Sequence, residues 1–411
     1  MAIEGHHLVD RRGAPSRVCE MRFIAGLCLP FFVALLSASP PEAVVVRGSL
    51  ANSQETFRTK KQGRVVFLGG SITENATGHC AMIPDWLQSR FPETKFTVVN
   101  AGISSTCSHT GAFRLERDVL KDGPVDLLFV EFAVNDNQDA VHTREQAIRG
   151  MEGIIRHVRR SSPETDIVMI DFVNPQMLKQ FQKGEIPVSV AAHEAVAQHH
   201  DVPSVNVGAA LAEEIAAGRK TWDQNYGGTH PNPEGYRFAS DLISSVLSRA
   251  WDAPGATGPH PIPEPLDPDS FGNGRFLDPG TAAWMGGWTA GKCGAELLPL
   301  GAIRGGFLTE TVTVASEPGA AMTLQFEGNC LGVFVLAGPD AGVLEISVDE
   351  GPFVAHDLYH QHSAQLNYPR TVILQQGLSR GGHQAVLRVA AEKNAASKGH
   401  RISILQFTVN P

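Results

Sequence analysis

Between residues 65 and 251, short runs of consecutive apolar residues alternate with segments of helical periodicity. Continuous apolar runs are typical of strands buried on both faces of a parallel sheet. The strand-like runs are residues 65–68, 95–100, 125–132, 166–172 and 203–207. The helical segments are residues 83–90, 111–120, 144–160, 189–200, 209–217 and 234–251. This alternation predicts an α/β fold, a three-layer α/β/α sandwich with a parallel sheet.

The character of the sequence changes after residue 252. Residues 253–268 are rich in proline, which is typical of a stiff, extended linker. Residues 269–411 lack helical periodicity and contain short alternating runs at 310–315, 322–326, 331–336, 342–348, 371–375, 384–390 and 401–409. Gly, Pro, Asn and Asp separate these runs, so they predict a C-terminal, all-β antiparallel sandwich. The predicted domains are therefore an α/β domain at 44–252, a linker and a sandwich at 269–411.

Residues 1–43 have the features of an export leader. Met21 and Arg22 are followed by an apolar run that extends to Leu36, and small residues occupy positions 37–39. The run is shorter than the roughly 20 residues that a membrane span needs. We therefore expect a signal peptide that starts at Met1 or Met21, with an uncleaved anchor as the alternative, and a secreted or periplasmic protein. The formal net charge of −9 argues against a nucleic-acid partner.

Four cysteines lie outside the leader. Cys80 and Cys107 fall in the first predicted domain, and Cys293 and Cys330 fall in the second. One disulfide in each domain is a candidate in an oxidising compartment, and four buried free thiols are the alternative. Because the sequence has no CxxC pair, we do not expect a zinc site at these cysteines. No other metal and no cofactor is predicted.

Ser71 and His230 are the candidate nucleophile and base. Ser71 follows a strand and the two glycines Gly69 and Gly70, which allow a sharp turn and leave space beside the hydroxyl. His230 lies in a turn-rich segment just before the last helix of the α/β domain. An activated serine needs such a base within hydrogen-bond reach. A helix-capping role for the serine and a solvated loop position for the histidine are the structural alternatives.

Gly102 and Asn135 also follow predicted strands. The backbone N–H of Gly102 and the side-chain amide of Asn135 are suitable donors for a developing oxyanion. Ligands in open α/β sheets bind beyond the carboxyl ends of the strands, where these segments should meet. Three strand exits and one loop would together supply a nucleophile, a base and two donors, which is what acyl transfer requires.

These four segments resemble the blocks of the SGNH, or GDSL, hydrolase superfamily. The blocks are Gly69-Gly70-Ser71, Gly102, residues 133–136 (AVND) and His230-Pro231, within a match that spans about residues 65–251. The resemblance implies a flavodoxin-like fold, ester hydrolysis and an oxyanion hole formed by the Ser71 N–H, the Gly102 N–H and the Asn135 side chain. The residues within and around these blocks resemble those of the bacterial branch of the superfamily that is associated with carbohydrate O-acetyl esters.

The sequence departs from the family pattern at two positions. The residue before the serine is Gly70, where the family usually has aspartate. The triad aspartate normally lies three residues before the histidine, and that position is Gly227. One hypothesis is that Asp223 holds His230 by reaching back through the flexible glycine turn. The alternative is a Ser–His dyad in which a backbone carbonyl orients the imidazole.

The predicted function is a serine esterase that works through an acyl-Ser71 intermediate on carbohydrate or small-molecule esters. A lipase-like acylhydrolase and a non-catalytic carbohydrate-binding protein are the alternatives. The C-terminal sandwich is expected either to bind carbohydrate or to pack over the esterase cleft.

The remaining histidines form two groups. His193, His199 and His200 are expected on a solvated helix face, and a metal site at His356, His360 and His362 is a less favoured interpretation.

Overall fold

The structure is a computed structural model that describes residues 42–253 and 255–411. The apolar run after Met21 and the small residues after it, on which the signal-peptide prediction depends, lie outside the described residues. Within the described residues, no helix combines the length and the apolar character needed to cross a bilayer.

A six-stranded sheet forms the centre of the first domain. Its strands are β1 (Val44–Val45), β2 (Gln62–Gly69), β3 (Lys95–Gly102), β4 (Leu127–Glu131), β5 (Asp166–Asp171) and β6 (Ser204–Asn206). They lie in the order β1-β6-β5-β4-β2-β3. Strands β2 to β6 are parallel, and only β1 pairs antiparallel, with β6. All residues of β4 and β5 are buried, as the apolar runs predicted.

Helices cover both faces of this sheet. They are α1 (Ala51–Glu55), α2 (Ser71–Glu74), α3 (His79–Arg90), α4 (Ser108–Leu115), α5 (Ala133–Gln138), α6 (Arg144–Ser161), α7 (Pro175–Gln182), α8 (Val188–His199), α9 (Val207–Ala216), α10 (Trp222–Asn225) and α11 (Pro233–Asp252). Along β2, Phe67 packs with residues of α3 and α11, whereas Leu68 packs with residues of α4 and α6. Alternate residues of a strand point to opposite faces, so the sheet separates two cores. The predicted three-layer α/β/α fold is confirmed.

The second half of the chain is a β-sandwich. Its strands are β7 (Arg275–Leu277), β8 (Ala283–Met285), β9 (Thr289–Lys292), β10 (Thr311–Ala315), β11 (Ala321–Glu327), β12 (Cys330–Ala337), β13 (Val343–Val348), β14 (Val354–Asp357), β15 (Tyr368–Gln376), β16 (Gly382–Val389) and β17 (Ile402–Val409). One sheet has the order β15-β12-β17-β10-β9, with β7 also on β17, and the other has the order β14-β13-β16-β11-β8. All of these pairings are antiparallel, which confirms the predicted fold class.

Each of the seven predicted sandwich runs forms a strand. Strands β7, β8, β9 and β14 were not predicted; each has only three or four residues, and β8, β9 and β14 are largely exposed. Strands this short carry little of the apolar alternation on which strand prediction depends.

The sandwich packs against the α4 side of the α/β domain. Thr110 of α4 and Thr371 of β15 share a hydrogen bond of 2.8 Å between their hydroxyls. Cys330 and Ile373 pack into the same apolar core as Phe113 of α4. Strands β12 and β15 of the sandwich therefore pack directly on the α/β domain, and the two folds share a continuous buried contact.

The proline-rich segment is extended but held in place. Arg159 of α6 donates to the carbonyl of Pro261 at 2.8 Å. The carboxylate of Glu152, also on α6, accepts the N–H groups of Leu266 and Asp267 at 2.7 and 3.1 Å. These bonds hold the segment against helix α6. The domain boundaries themselves stay a prediction.

The four described cysteines are all buried and form no disulfide, which agrees with the alternative of four buried free thiols.

The expectation of a solvated histidine face on α8 is wrong for two of its three residues, because His193 and His200 are buried. His193 bonds to Asp136 and Asp171 at 3.0 Å each, and His200 bonds to Glu152 at 3.0 Å. Pairing with buried carboxylates offsets the cost of removing these imidazoles from water.

Candidate active site

Ser71 occupies the sharp turn that follows β2. Gly69 ends the strand, Gly70 precedes α2, and Ser71 is the first residue of that helix. A Cβ atom on Gly70 would lie 2.1 Å from Oδ1 of Asn135. The close approach of Asn135 therefore leaves no room for the aspartate that the family resemblance would place at position 70.

His230 lies beside Ser71, in the loop before α11. Its Nε2 is 2.7 Å from the Oγ of Ser71, a hydrogen-bond distance between residues 159 positions apart. Asn232 holds the loop, because its side chain accepts the N–H of Gly235 at 2.9 Å and donates to the carbonyl of Gln224 at 3.1 Å. This N-cap fixes where the chain enters α11, and it positions the imidazole at the exit of β2.

Asn135 lies in the first turn of α5, directly after β4, and only 3% of its surface is exposed. Its Nδ2 donates to Oδ2 of Asp139 at 2.8 Å. Its Oδ1 lies against Gly70 and has no hydrogen-bond partner among the described residues. An amide nitrogen carries two hydrogens, so one N–H of Asn135 remains available to a ligand.

Gly102 ends β3 opposite Gly69 and packs tightly on α2. A Cβ at Gly102 would lie 2.3 Å from the backbone nitrogen of Glu74, so this position requires glycine. The N–H of Gly102 donates to Oδ1 of Asn100 at 2.9 Å. The structure thus places Gly102 against Thr73 and Glu74 of α2, the helix that begins at Ser71, and engages its N–H with a neighbouring side chain. Ser104 and Ser105, not Gly102, line the cleft on this side.

Asp223 lies on the short helix α10, and its side chain is exposed. Within residues 42–253 and 255–411, neither its carboxylate nor a backbone carbonyl bonds to His230. Gly227, at the position of the family's triad aspartate, has a φ of +94°, and a Cβ there would lie 3.2 Å from Nδ2 of Asn232. An aspartate at position 227 would be strained in this turn.

The cleft beside Ser71 has a volume of about 530 Å³, and the sandwich forms one of its walls. The sandwich residues that line it are Arg304, His362, Gln365, Leu366 and Tyr368. Sequence reasoning assigned none of them to the site. Of these residues, only His362 was considered from the sequence, by residue type, and no motif or spacing connects these loops to Ser71.

Polar contacts hold this wall against the α/β domain. Arg304 donates to the Oγ of Ser105 at 2.8 Å, and the hydroxyl of Tyr368 donates to the carbonyl of Ser105 at 3.3 Å. The Nε2 of His360 bonds to the carbonyl oxygen of Asp139 at 2.9 Å. The Nε2 of His362 lies 3.7 Å from Oδ1 of Asp139, so both histidines face Asp139, which in turn bonds to Asn135.

Glu131 is a buried acid at the end of β4, beneath the Ser71 turn. Its Oε2 accepts the hydroxyl of Thr73 at 3.0 Å, whereas its Oε1 has no partner among the described residues. Burial raises the pKa of Glu131 to about 7. This carboxyl group therefore carries its proton through most of the acidic range.

Residues 67–238 match the family model of the GDSL-like lipase/acylhydrolase family. No curated protein sequence matches this chain. Among solved structures, a two-domain esterase active on acetylated mannans, co-crystallised with mannopentaose, is 20% identical with a TM-score of 0.71. That match covers 89% of this chain and 96% of the esterase chain.

A second structure of a two-domain esterase active on acetylated mannans is 21% identical, again with a TM-score of 0.71, and the match covers 89% of this chain and 97% of the other. At this identity the likeness is one of fold, and its coverage includes both halves of the chain. The family match contains Ser71, Gly102, Asn135 and His230, the four positions of the resemblance. Residues 67–238 therefore belong to the GDSL-like lipase/acylhydrolase family, and the chain is a hydrolase that acts on ester bonds.

Proposed function

We propose that this chain is a serine esterase that removes O-acetyl groups from carbohydrate, with Ser71 as the nucleophile and His230 as its base. The observation that carries this proposal is the 2.7 Å separation between Nε2 of His230 and Oγ of Ser71 at the edge of the cleft. A general base must lie within hydrogen-bond reach of the proton that it removes.

The proposed reaction has two halves. Ser71 attacks the ester carbonyl while His230 accepts its hydroxyl proton, and His230 then returns that proton to the departing sugar oxygen. The product of this half is an acetyl-Ser71 ester. Water, deprotonated by His230, attacks that ester, and acetate leaves as the Ser71 hydroxyl is restored.

Three groups are proposed to bind the oxyanion in each half. The N–H of Ser71 lies at the start of α2, where a helix leaves its N–H groups without intrahelical acceptors. The second N–H of Asn135 is the side-chain donor. The Gly102 N–H is the third, and it must be shared with the Asn100 side chain that it contacts at 2.9 Å. Preorganised donors of this kind stabilise charge as it develops.

We propose that Ser71 and His230 work as a dyad, without a third catalytic side chain. Asp223 stays a prediction, because its carboxylate would have to move to reach the imidazole. The third group of a triad mainly fixes the tautomer and stabilises the imidazolium, so a dyad is expected to turn over more slowly.

The cleft favours a hydrated substrate over a long acyl chain. Its lining is mostly polar and includes Gln138, Asp139, Arg304 and Gln365, with Val134 and Leu366 as the aliphatic side chains. Polar groups of this kind match sugar hydroxyls, whereas a lipid site would need a wide apolar surface. The esterase that shares both folds with this chain is active on acetylated mannans. We therefore propose a carbohydrate ester as the substrate.

The sandwich supports this choice by closing one side of the cleft. Of the two roles considered for it, packing over the esterase site agrees with the positions of Arg304, His362 and Tyr368. We also propose that the protein acts outside the cytoplasm, where polysaccharide esters are found and where the leader at residues 1–43 would direct it.

Acetate release by the full chain tests the function. Acetylated mannan, acetylated xylan, 4-nitrophenyl acetate and a long-chain 4-nitrophenyl ester should be compared, with Ser71→Ala as the inactive control. We expect release from the polysaccharides and the short ester, and loss of both in Ser71→Ala. Preference for the long-chain ester would favour the lipase alternative. Retention of all activity in Ser71→Ala would contradict the proposal.

A further inference from the structure

A second polar cavity, of about 190 Å³, lies between α4 and β15, apart from the Ser71–His230 pair. The α/β domain lines it with Cys107, His109 and His142, and the sandwich lines it with His360, Tyr368 and Arg370. The proposed esterase reaction uses none of the first three side chains. A thiol and two imidazoles around one buried cavity are the side chains that bind borderline metal ions.

Three possible ligand atoms converge at one end of this cavity. The Sγ of Cys107, a carboxylate oxygen of Asp136 and an imidazole nitrogen of His142 all lie within 4.8 Å of one another. Cys107 is 6% exposed, Asp136 is fully buried, and the side chain of His142 is 7% exposed. One sulfur, one nitrogen and one oxygen ligand form a donor set that suits Zn²⁺.

The position of His142 is itself informative. Its Nδ1 lies 3.3 Å from Oδ1 of Asp136, yet it makes no hydrogen bond to any described residue. Because the distance allows a hydrogen bond, its absence means that the in-plane bonding direction of Nδ1 does not point straight at Oδ1. Two ligands placed about 2.0–2.1 Å from a tetrahedral zinc ion lie about 3.4 Å apart, so this separation matches one edge of such a site.

The carboxylate of Asp136 is held in place from behind. Its Oδ1 accepts the N–H of Ser108 at 2.8 Å, and its Oδ2 bonds to Nε2 of His193 at 3.0 Å. The Nδ1 of His193 bonds to Asp171 at 3.0 Å. Outer-shell partners of this kind fix the orientation of metal ligands in established sites. They also explain why a histidine of α8 is buried between two acids.

We propose that Cys107, Asp136 and His142 form a zinc-binding site, with water from the adjoining cavity as the fourth ligand. The thiolate and the carboxylate supply two negative charges that match the charge of the ion. The site joins the start of α4 to the segment 136–142, which follows Asn135. None of the three ligands lines the cleft beside Ser71, so we assign the site the role of holding that segment in place.

Zinc binding by the full chain tests this proposal without an activity measurement. Chelator-treated protein is dialysed, titrated with ZnCl₂ by calorimetry and analysed for metal content. The variants are Cys107→Ser and His142→Gln, and Cys293→Ser is the matched control because Cys293 is a buried free thiol in the sandwich. We expect one zinc ion per chain in the wild type and in Cys293→Ser. Each ligand variant should weaken binding by at least ~100-fold, the upper end of what loss of an outer-shell partner costs.

Cobalt provides a second readout on the wild-type chain, which remains valid if a variant does not fold. Co²⁺ bound through Cys107 should show thiolate-to-metal charge-transfer absorption with the intensity of a tetrahedral site. Absence of both stoichiometric zinc and that absorption in the wild type overturns the proposal and leaves His142 and Asp136 as a simple ion pair. Equal zinc affinity in the wild type, Cys107→Ser and His142→Gln also overturns it. Loss of esterase activity in Ser71→Ala has no bearing on either result.

Discussion

The side-chain amide of Asn135 donates to the carboxylate of Asp139 across 2.8 Å, and the backbone carbonyl of Asp139 accepts a bond from His360 across 2.9 Å. A side chain of the sandwich is thus two contacts away from the proposed oxyanion donor. The orientation of Asn135 depends on this arrangement, because its Oδ1 has no partner among the described residues to hold it from the other side.

Asn135→Ala should lower kcat by about 10²–10³, the usual cost of one lost oxyanion donor. The change in KM should be small, because the donor acts chiefly on charge that develops in the transition state. Steady-state kinetics with 4-nitrophenyl acetate measures this. Gln138→Ala is the matched control, since Gln138 also donates to Asp139, at 3.3 Å, from the same helix. A tenfold or larger loss in the control would assign the effect to Asp139 instead.

Gly70→Ala should reduce kcat by about 10²-fold, since the new methyl group must displace the Asn135 amide that lies 2.1 Å from its position. Gly382→Ala is the control, because a Cβ at Gly382 meets nothing within 4 Å. The two variants are compared by kcat and by the urea midpoint of unfolding. Wild-type turnover in Gly70→Ala would show that Asn135 is not held against this turn.

Asp223→Asn should retain turnover within about tenfold of the wild type, because no bond joins Asp223 to His230 among the described residues. Loss of the orienting acid in an established triad costs about 10⁴ in kcat. Measurement of kcat for this variant therefore separates the two alternatives widely. A loss of 10³ or more would show that Asp223 does reach the imidazole during turnover.

The buried carboxyl of Glu131 should make the protein less stable as the pH rises. Its folded-state pKa is raised from 4.5 to about 7, so between these values the folded state keeps a proton that the unfolded state has lost. Stability then falls with rising pH, by up to roughly 3 kcal/mol for this group.

Urea unfolding from pH 4.5 to 8 measures this effect in the wild type and in Glu131→Gln. The variant keeps the acceptor for Thr73 and cannot ionise, so the difference in unfolding free energy between the two proteins should grow across this range in favour of Glu131→Gln. Parallel curves for the two proteins would contradict the raised pKa of Glu131.

Arg304→Ala should raise KM for acetylated polysaccharide about tenfold, the loss expected for one hydrogen bond from a charged group. The effect on 4-nitrophenyl acetate should be less than twofold, because a small ester need not reach the sandwich wall. Arg388→Ala is the matched control, since Arg388 lies on β16 and does not line the cleft. An equal loss on both substrates would show that Arg304 acts on the Ser71 turn through Ser105.

Some of the site could be predicted because parallel strands end at one edge of a sheet. Ser71 and Asn135 follow neighbouring strands β2 and β4, and His230 precedes the helix that packs near them. Gly102 shows the limit of this reasoning, because the sequence does not reveal that its N–H bonds to Asn100. The burial of His193 was also missed, since the acids that pair with it lie 57 and 22 residues away.

The sequence alone determined the two fold classes and the edge of the sheet at which Ser71 and His230 meet, because apolar periodicity and strand exits are local properties of the chain. Only the tertiary structure decided which side chains of the sandwich complete the cleft and which buried groups face one another. Tyr368 reaches Ser105 across 263 positions, through the packing of β15 on α4. Contacts of this kind depend on the shape complementarity of two folded domains, which no local sequence pattern encodes.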